Sequence, residues 1–271
     1  MQSRTEEELK LFRKSGQIAA RAMKKVIENV RVGITLKELD EIAENEIQRL
    51  GGRSSFKTVP GYYWTTCLTI NDEVVHGIPR DIELKDGDVL GIDLGAVYEG
   101  WHSDMAWSVI VRASEYQSIG ISENSDTPTL RDAGTLKEKE KFLKVGEEIL
   151  WKAIAQAVEG KKIGDISSVI QQGVEGAGYS VVKSLAGHGV GREAHEDPEI
   201  PEYGTAGKGL ILRTGMTLAI EVIYAEGRGE VYETDDGWTI STKDGSLGGL
   251  FEMSVIVGKK KPEITTDWRG L

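Results

Sequence analysis

Five side chains stand where their chemistry is out of place. Asp93, Asp104, Glu221 and Glu252 interrupt apolar, strand-like runs, and His188 sits in a glycine-rich stretch. The segment 89–111, VLGIDLGAVYEGWHSDMAWSVIV, reads as two antiparallel strands broken at Tyr98-Glu99-Gly100. With a loop running from Val97 to Gly100, Asp93 falls directly opposite Asp104. Cross-strand partners have Cβ atoms roughly 4.5–5.5 Å apart, so like charges there destabilise a sheet unless something positive lies between them. Gly91 and Gly95, on the same face as Asp93, are expected to leave that face bare and open to a ligand. Glu221, in MTLAIEVIYAEG, and Glu252, in GGLFEMSVIV, pose the same problem. A lone ionised Glu buried in such a strand costs roughly several kcal/mol or is forced to protonate. Four carboxylates and one imidazole form the donor set of a hard-cation or first-row transition-metal site and not of a thiolate zinc site. Their charge balances two divalent cations. A two-metal centre, with ions roughly 3.5–4 Å apart, polarises a carbonyl and generates hydroxide near neutral pH, so the implied chemistry is hydrolysis.

The elements that must position these groups follow from periodicity. Thr5 followed by Glu8 is a capping-box pattern, and Leu11, Ile18, Ala22 and Val26 recur at helical spacing. A second helix follows Gly33-Ile34-Thr35, with Leu36, Leu39, Ile42, Ala43, Ile47 and Leu50 as its stripe and Gly51-Gly52 as its stop. Tyr62 to Ile70 reads as a strand and His76-Gly77-Ile78-Pro79 as a loop. The polar stretch 112–135 reads as a surface loop insertion, after which helix signals resume at Leu136. A shift of about 127 residues then repeats the order. Gly33 and Leu39 correspond to Gly160 and Ile166, Gly51 to Gly178, and Asp93 to Glu221. The repeat predicts one pseudo-symmetric domain spanning 1–271, with helix, helix, strand in each half.

Composition narrows the classes further. The chain of 271 residues is 39% hydrophobic and 28% charged, which suits an ordinary soluble globular protein. A net charge of −11 argues against a general nucleic-acid or anionic-membrane binder. The single cysteine, Cys67, makes no internal disulfide, and MQSRTEEELKLF carries no apolar signal core, so a cytoplasmic location is expected. His188 and His195 lie in AGHGVGREAHEDPEIP, which matches neither a dinucleotide fingerprint nor a zincin helix, since Glu199 stands where the second histidine of H-E-x-x-H belongs.

The order Asp93, Asp104, His188, Glu221, Glu252, with INDEVVHGIP ahead of it and DGWTIST (Asp236 to Thr242) between the last two, resembles the type I methionine aminopeptidases over nearly the whole chain. The resemblance implies an α+β pita-bread (creatinase/aminopeptidase) fold, two pseudo-symmetric αβ halves around a central antiparallel sheet, with two divalent ions in the middle. Cobalt, manganese, iron and zinc all suit such donors. By the same resemblance Asp104 and Glu252 bridge the ions, Asp93 binds the second, and His188 and Glu221 bind the first. His76 contacts substrate and stabilises the tetrahedral intermediate, His195 hydrogen-bonds the scissile peptide, and Glu221 also carries a proton to the leaving amine. Tyr62, Cys67 and Trp238 form the side-chain pocket, where a thioether packs against aromatic faces. His102 matches no family ligand and is read as structural. The partners implied are peptide and nascent-protein N-termini. Ribosome proximity fits such an activity, although no cysteine-rich or basic extension encodes it, and a monomer is the expected state.

Three positions depart from the family pattern: Met253 after Glu252 in place of His, Val222 after Glu221 in place of Pro, and Ala194 before His195 in place of a bulky aromatic. They bear on specificity and leave the ligands intact. The nearest rival is an X-Pro aminopeptidase or prolidase of the same fold, whose usual extra N-terminal domain is not evident here. A metal-free pita-bread binding module would be expected to have lost ligands. A two-metal phosphatase or nuclease gains no support from the charge or from any phosphate loop.

Overall fold

The computed structural model describes residues 3–113 and 130–271. Its helices are α1 (Glu6–Ile27), α2 (Leu36–Arg49), α3 (Leu130–Ile154) and α4 (Ile163–Gly176). The strands of the first half are β1 (Arg53–Ser54), β2 (Thr66–Ile70), β3 (Glu73–Val75), β4 (Val89–Tyr98) and β5 (Trp101–Ile110). Those of the second are β6 (Ser180–Val181), β7 (Ala186–Gly189), β8 (Glu196–Pro201), β9 (Thr217–Ala225), β10 (Val231–Glu233), β11 (Ile240–Thr242), β12 (Gly248–Ile256) and β13 (Glu263–Ile264).

Both helices of the first half start as their sequences dictate. Thr5 accepts the Glu8 N–H at 3.3 Å while Glu8 accepts the Thr5 N–H at 2.9 Å. Thr35 and Glu38 repeat the exchange at 3.2 and 2.8 Å, so donors at each helix start are satisfied without water. Ile18, Ala22 and Val26 of the expected stripe are buried, and Leu11 is half-buried. The repeat is visible in the element bounds. α2 begins at Leu36 and α4 at Ile163, while α1 ends at Ile27 and α3 at Ile154, 127 residues on in both cases. α1 packs on β4 and β5, and α3 packs on β9 and β12. α3 begins at Leu130, ahead of the Leu136 expected, because Gly134 and Thr135 weaken the helical signal there. Residues 114–129, the bulk of the expected 112–135 insertion, lie outside the described residues. The strand expected from Tyr62 begins only at Thr66, since Tyr62 to Trp64 run as irregular chain.

Among the described residues the central sheet runs β1-β4-β5-β12-β9-β7-β8, with β2 on β4, β6 on β9 and β13 on β12, and every pairing is antiparallel. A small sheet, β10-β11-β3, stands beside it. The β5–β12 pairing joins the two halves.

The β4–β5 register corrects the expected one. Tyr98 pairs with Trp101, so the turn is Glu99-Gly100 alone, with φ of 49° and 74°. Two consecutive left-handed residues are the mark of a type I′ hairpin. Glu is uncommon there, which is why the sequence pointed to a longer loop. Asp93 therefore faces Ala106, and Asp104 faces Gly95. A slip of two residues leaves every side chain on its own face, so the two aspartates still meet, diagonally and not head-on. The glycines beside Asp93 also have another reason. A Cβ on Gly91 would stand 2.3 Å from Thr69 Oγ1, and one on Gly95 would stand 2.7 Å from Ser55 Cβ, so neighbouring side chains occupy the space expected for a ligand.

Candidate metal centre and active site

Sheet register alone assembles the donors. One row across the sheet reads Asp93 on β4, Ala106 on β5, Glu252 on β12 and Glu221 on β9. Two residues along, Gly95 faces Asp104, Ser254 faces Ala219, and Ala219 faces His188 on β7. The Ser254 hydroxyl ties these pieces together, accepting the Asp104 N–H at 2.9 Å and donating to the Asp104 carbonyl at 2.8 Å. Because side chains alternate along a strand, all five expected ligands share one face, with only small residues between them. Donor atoms of Asp93, Asp104 and Glu252 lie within 4.8 Å of one another, as do those of His188, Glu221 and Glu252. A third such group joins Asp104, His188 and His195.

The electrostatics of this face call for cations. Burial raises the carboxyl of Asp93, with the neighbouring Asp104 adding to it, and burial also raises Asp104. Burial raises Glu221 and Glu252 well above the ordinary carboxylate range, and the surrounding acids push both further. Among the described residues Asp93 Oδ1 and Glu252 Oε1 are buried without a hydrogen-bond partner. Buried acceptors without donors are rare in folded proteins and ask for a partner. His188 completes the set. Its Nδ1 lies 2.9 Å from the Gly189 carbonyl, which only accepts, so the proton belongs on Nδ1 and the Nε2 lone pair is free. That Nε2 stands 3.9 Å from Glu221 Oε1, and burial lowers the imidazole to about 3, keeping it neutral as a ligand must be. The donor set thus fits divalent metal.

The same face opens into a cavity of about 170 Å³. All ten residues singled out in the sequence line it: Tyr62, Cys67, His76, Asp93, Asp104, His188, His195, Glu221, Trp238 and Glu252. Cys67 pairs across the sheet with Asp93, which sets the aromatic end beside the carboxylates. Tyr62 is locked by its hydroxyl, which donates to the Thr66 carbonyl at 2.7 Å. The edge of its ring meets Trp238 at 5.0 Å and Phe56 at 6.4 Å between centroids. Trp238 is held by Asp236, whose Oδ1 accepts the Trp238 N–H at 2.9 Å and the Thr239 N–H at 2.8 Å. His76 follows β3 with φ of 58°, a left-handed conformation that costs a non-glycine residue about 1–3 kcal/mol and tends to be kept where function needs it. His76 and His195 are exposed on their outer sides, yet their rings are enclosed enough for burial to lower both. His102 is buried away from the cavity, its Nδ1 2.8 Å from Ser55 Oγ, as a structural histidine should be.

Phe56, Val59, Val75 and Leu250 also line the cavity and were not singled out. Leu250 sits two residues before Glu252 on the same strand face, so period-two alternation signals it, whereas Val75 is marked only as the chain neighbour of His76, which leaves the strand with a left-handed backbone. Phe56 and Val59 belong to a short 3₁₀ turn and its end and carry no such signal. Val222 and Met253 point into the main core with Phe142 and Ile149 and do not touch the cavity. Ala194 is buried and does not line it either.

Two pseudo-symmetric halves around one antiparallel sheet, with a carboxylate and imidazole face at its centre, define a pita-bread metallohydrolase. A family model described as metallopeptidase family M24 matches residues 10–257, and the chain belongs to that family. It is similar to the methionine aminopeptidase of Clostridium perfringens, 40% identical over 263 residues covering 97% of each chain. It is also similar to methionine aminopeptidase 1 of Bacillus subtilis, 38% identical over 97% of this chain and 98% of that one. The crystal structure of the Thermotoga maritima methionine aminopeptidase superposes with a TM-score of 0.87 at 36% identity, covering 98% of this chain and 99% of that one. The prolidase of Pyrococcus furiosus shares the fold, with a TM-score of 0.71 at 23% identity over 97% of this chain and 65% of that one.

Proposed function

We propose that this metallopeptidase removes N-terminal methionine from peptides and nascent proteins whose second residue is small. The observation that carries the reading is the cavity itself, lined by aromatic side chains and by acidic ones. Pockets for drug-sized ligands span about 300–1,000 Å³, so a cavity of about 170 Å³ suits one side chain and a scissile bond. Tyr62, Cys67, Phe56 and Trp238 take the unbranched thioether, which adapts well to aromatic edges. Asp93, Asp104, His188, Glu221 and Glu252 would hold two divalent ions. Such a pair supplies Lewis-acid polarisation of the carbonyl and a strong nucleophile at neutral pH. His76 and His195, neutral at that pH, reach the scissile peptide from the cavity wall and hydrogen-bond its oxygen and nitrogen. Glu221 takes up the proton released as the attacking water adds to the carbonyl and passes it to the departing amine. The second residue shares a small space lined by Val75 and Leu250, which disfavours bulk. Both halves supply ligands, so the catalytic unit in this reading is the whole of 1–271.

The experiment compares metal-loaded protein on Met-Ala-Ser and on an equivalent X-Pro peptide. Release of methionine from the first, with little turnover of the second, is the expected result. Cleavage of the X-Pro peptide alone would replace this reading with the prolidase one.

A further inference from the structure

His195 belongs to the loop between β7 and β8, and that loop is fixed from outside the cavity. Glu196 follows His195 directly, and its Oε1 turns back to accept the Arg192 N–H at 2.6 Å and the Glu193 N–H at 3.2 Å. Its Oε2 pairs with the guanidinium of Arg4, from the segment ahead of α1. Both side chains are largely covered, at 15% and 17% exposure, so salt screens the pair less than it would a surface one. Arg4 is anchored in turn. Its N–H donates to the Gly215 carbonyl at 3.0 Å, and its guanidinium lies 5.2 Å from the centre of the buried Trp101 ring. The Arg192 guanidinium lies over the same ring at 4.5 Å. Gly191 makes the arrangement possible, because a Cβ there would stand 2.6 Å from Arg4 Nη2 and 3.0 Å from Glu196 Oε1.

We propose that Arg4 and Glu196 form a clamp that positions the His195 imidazole, so that a residue near the start of the chain helps set the rate of peptide cleavage. The inference rests on the role given to His195 above. Neither residue lines the catalytic cavity, so both are positioning residues. Glu196 does line the wider cavity that shares His188 and His195 with the catalytic one, and the His195→Ala background separates an effect through His195 from direct contact with a longer peptide.

The test uses the metal-loaded full chain and the Met-Ala-Ser peptide. Glu196→Gln and Arg4→Met are each expected to lower kcat/KM about tenfold, the scale of losing a supporting hydrogen-bond partner, with metal content unchanged. Arg4→Lys, which keeps the charge, restores part of the loss. In a His195→Ala background Glu196→Gln has no further effect, whereas a merely structural role would add its cost again. Wild-type kinetics in both single variants, or a full tenfold loss persisting without His195, would overturn the proposal. A second readout needs no turnover: with four histidines in the chain, the ring signals can be assigned by substitution. Glu196→Gln is expected to shift or broaden the His195 signal, and to move the His102 signal as well, because the Glu196 charge acts on that ring directly. An unchanged His195 signal refutes the clamp even if the peptide is not a substrate, while absent wild-type turnover counts against the aminopeptidase reading alone.

Discussion

Glu202, just past β8, is a buried carboxyl outside the proposed ligand set, near enough to Glu221 and Glu252 for its charge to act on both. Its side chain is fully enclosed, Oε2 accepts the Ile223 N–H at 3.0 Å, and Oε1 is among the buried atoms without a partner. Burial pushes its carboxyl well above the ordinary 4.5, and the Ile223 N–H pulls the other way without winning. Such a group keeps its proton in the fold and loses it in the unfolded chain. Its contribution to stability is therefore complete below about 4.5 and declines as pH rises toward the folded value, by about 1.4 kcal/mol per pH unit. Glu202→Gln keeps the shape and removes the titration. The amide oxygen takes the Ile223 N–H, and the NH₂ stands where the protonated oxygen stood, a donor for a donor. The variant should match wild type near about pH 5 and gain on it by about 1.4 kcal/mol per unit above, roughly 3–6 °C in Tm for a chain of this size. Thermal unfolding of both proteins in parallel, at saturating metal from about pH 5 to about pH 8, reads the gap directly. A gap that stays constant, or a variant that falls behind at the alkaline end, would mean Glu202 is ionised in the fold. The same reasoning about burial at Glu221 and Glu252 would then fail.

Asp104→Ala should leave the circular dichroism spectrum intact while removing both turnover and tight metal binding, and retained turnover would strip Asp104 of its role as a ligand. Trp238→Ala removes the wall that meets Tyr62 at 5.0 Å and should raise KM for Met-Ala-Ser about tenfold with kcat largely kept, the scale of one aromatic contact; an unchanged KM would place the methionine side chain elsewhere. Removing metal with a chelator should lower Tm by roughly 5–10 °C relative to protein in about hundredfold excess over the dissociation constant. Equal Tm values with and without chelator would argue against a bound ion in the native state.

Much of this site was legible because the strand period forgives one kind of error. The hairpin register read from sequence was off by two residues, yet Asp93 and Asp104 kept their common face, and the metal reading survived with a diagonal pair in place of a direct one. The local signal failed at Glu99, whose left-handed backbone is rare for its type and is imposed by the twist of the paired strands. Gly91 and Gly95 were legible as unusual but not as to cause, because the Thr69 and Ser55 side chains that fill their space come from elsewhere in the chain. Phe56 and Val59 reach the cavity through a tertiary turn with no periodic signature. The Arg4–Glu196 pair joins residues far apart in sequence, and nothing in either segment announces it.

The claim beneath the whole reading is that these acids tolerate burial together because cations neutralise them. Calorimetric titration of chelator-treated protein with a divalent metal such as manganese tests it most directly. Two equivalents should bind with release of protons from the buried carboxyls, and Glu252→Ala should remove at least one of them. No uptake of metal, or uptake that is undiminished in Glu252→Ala, would contradict it.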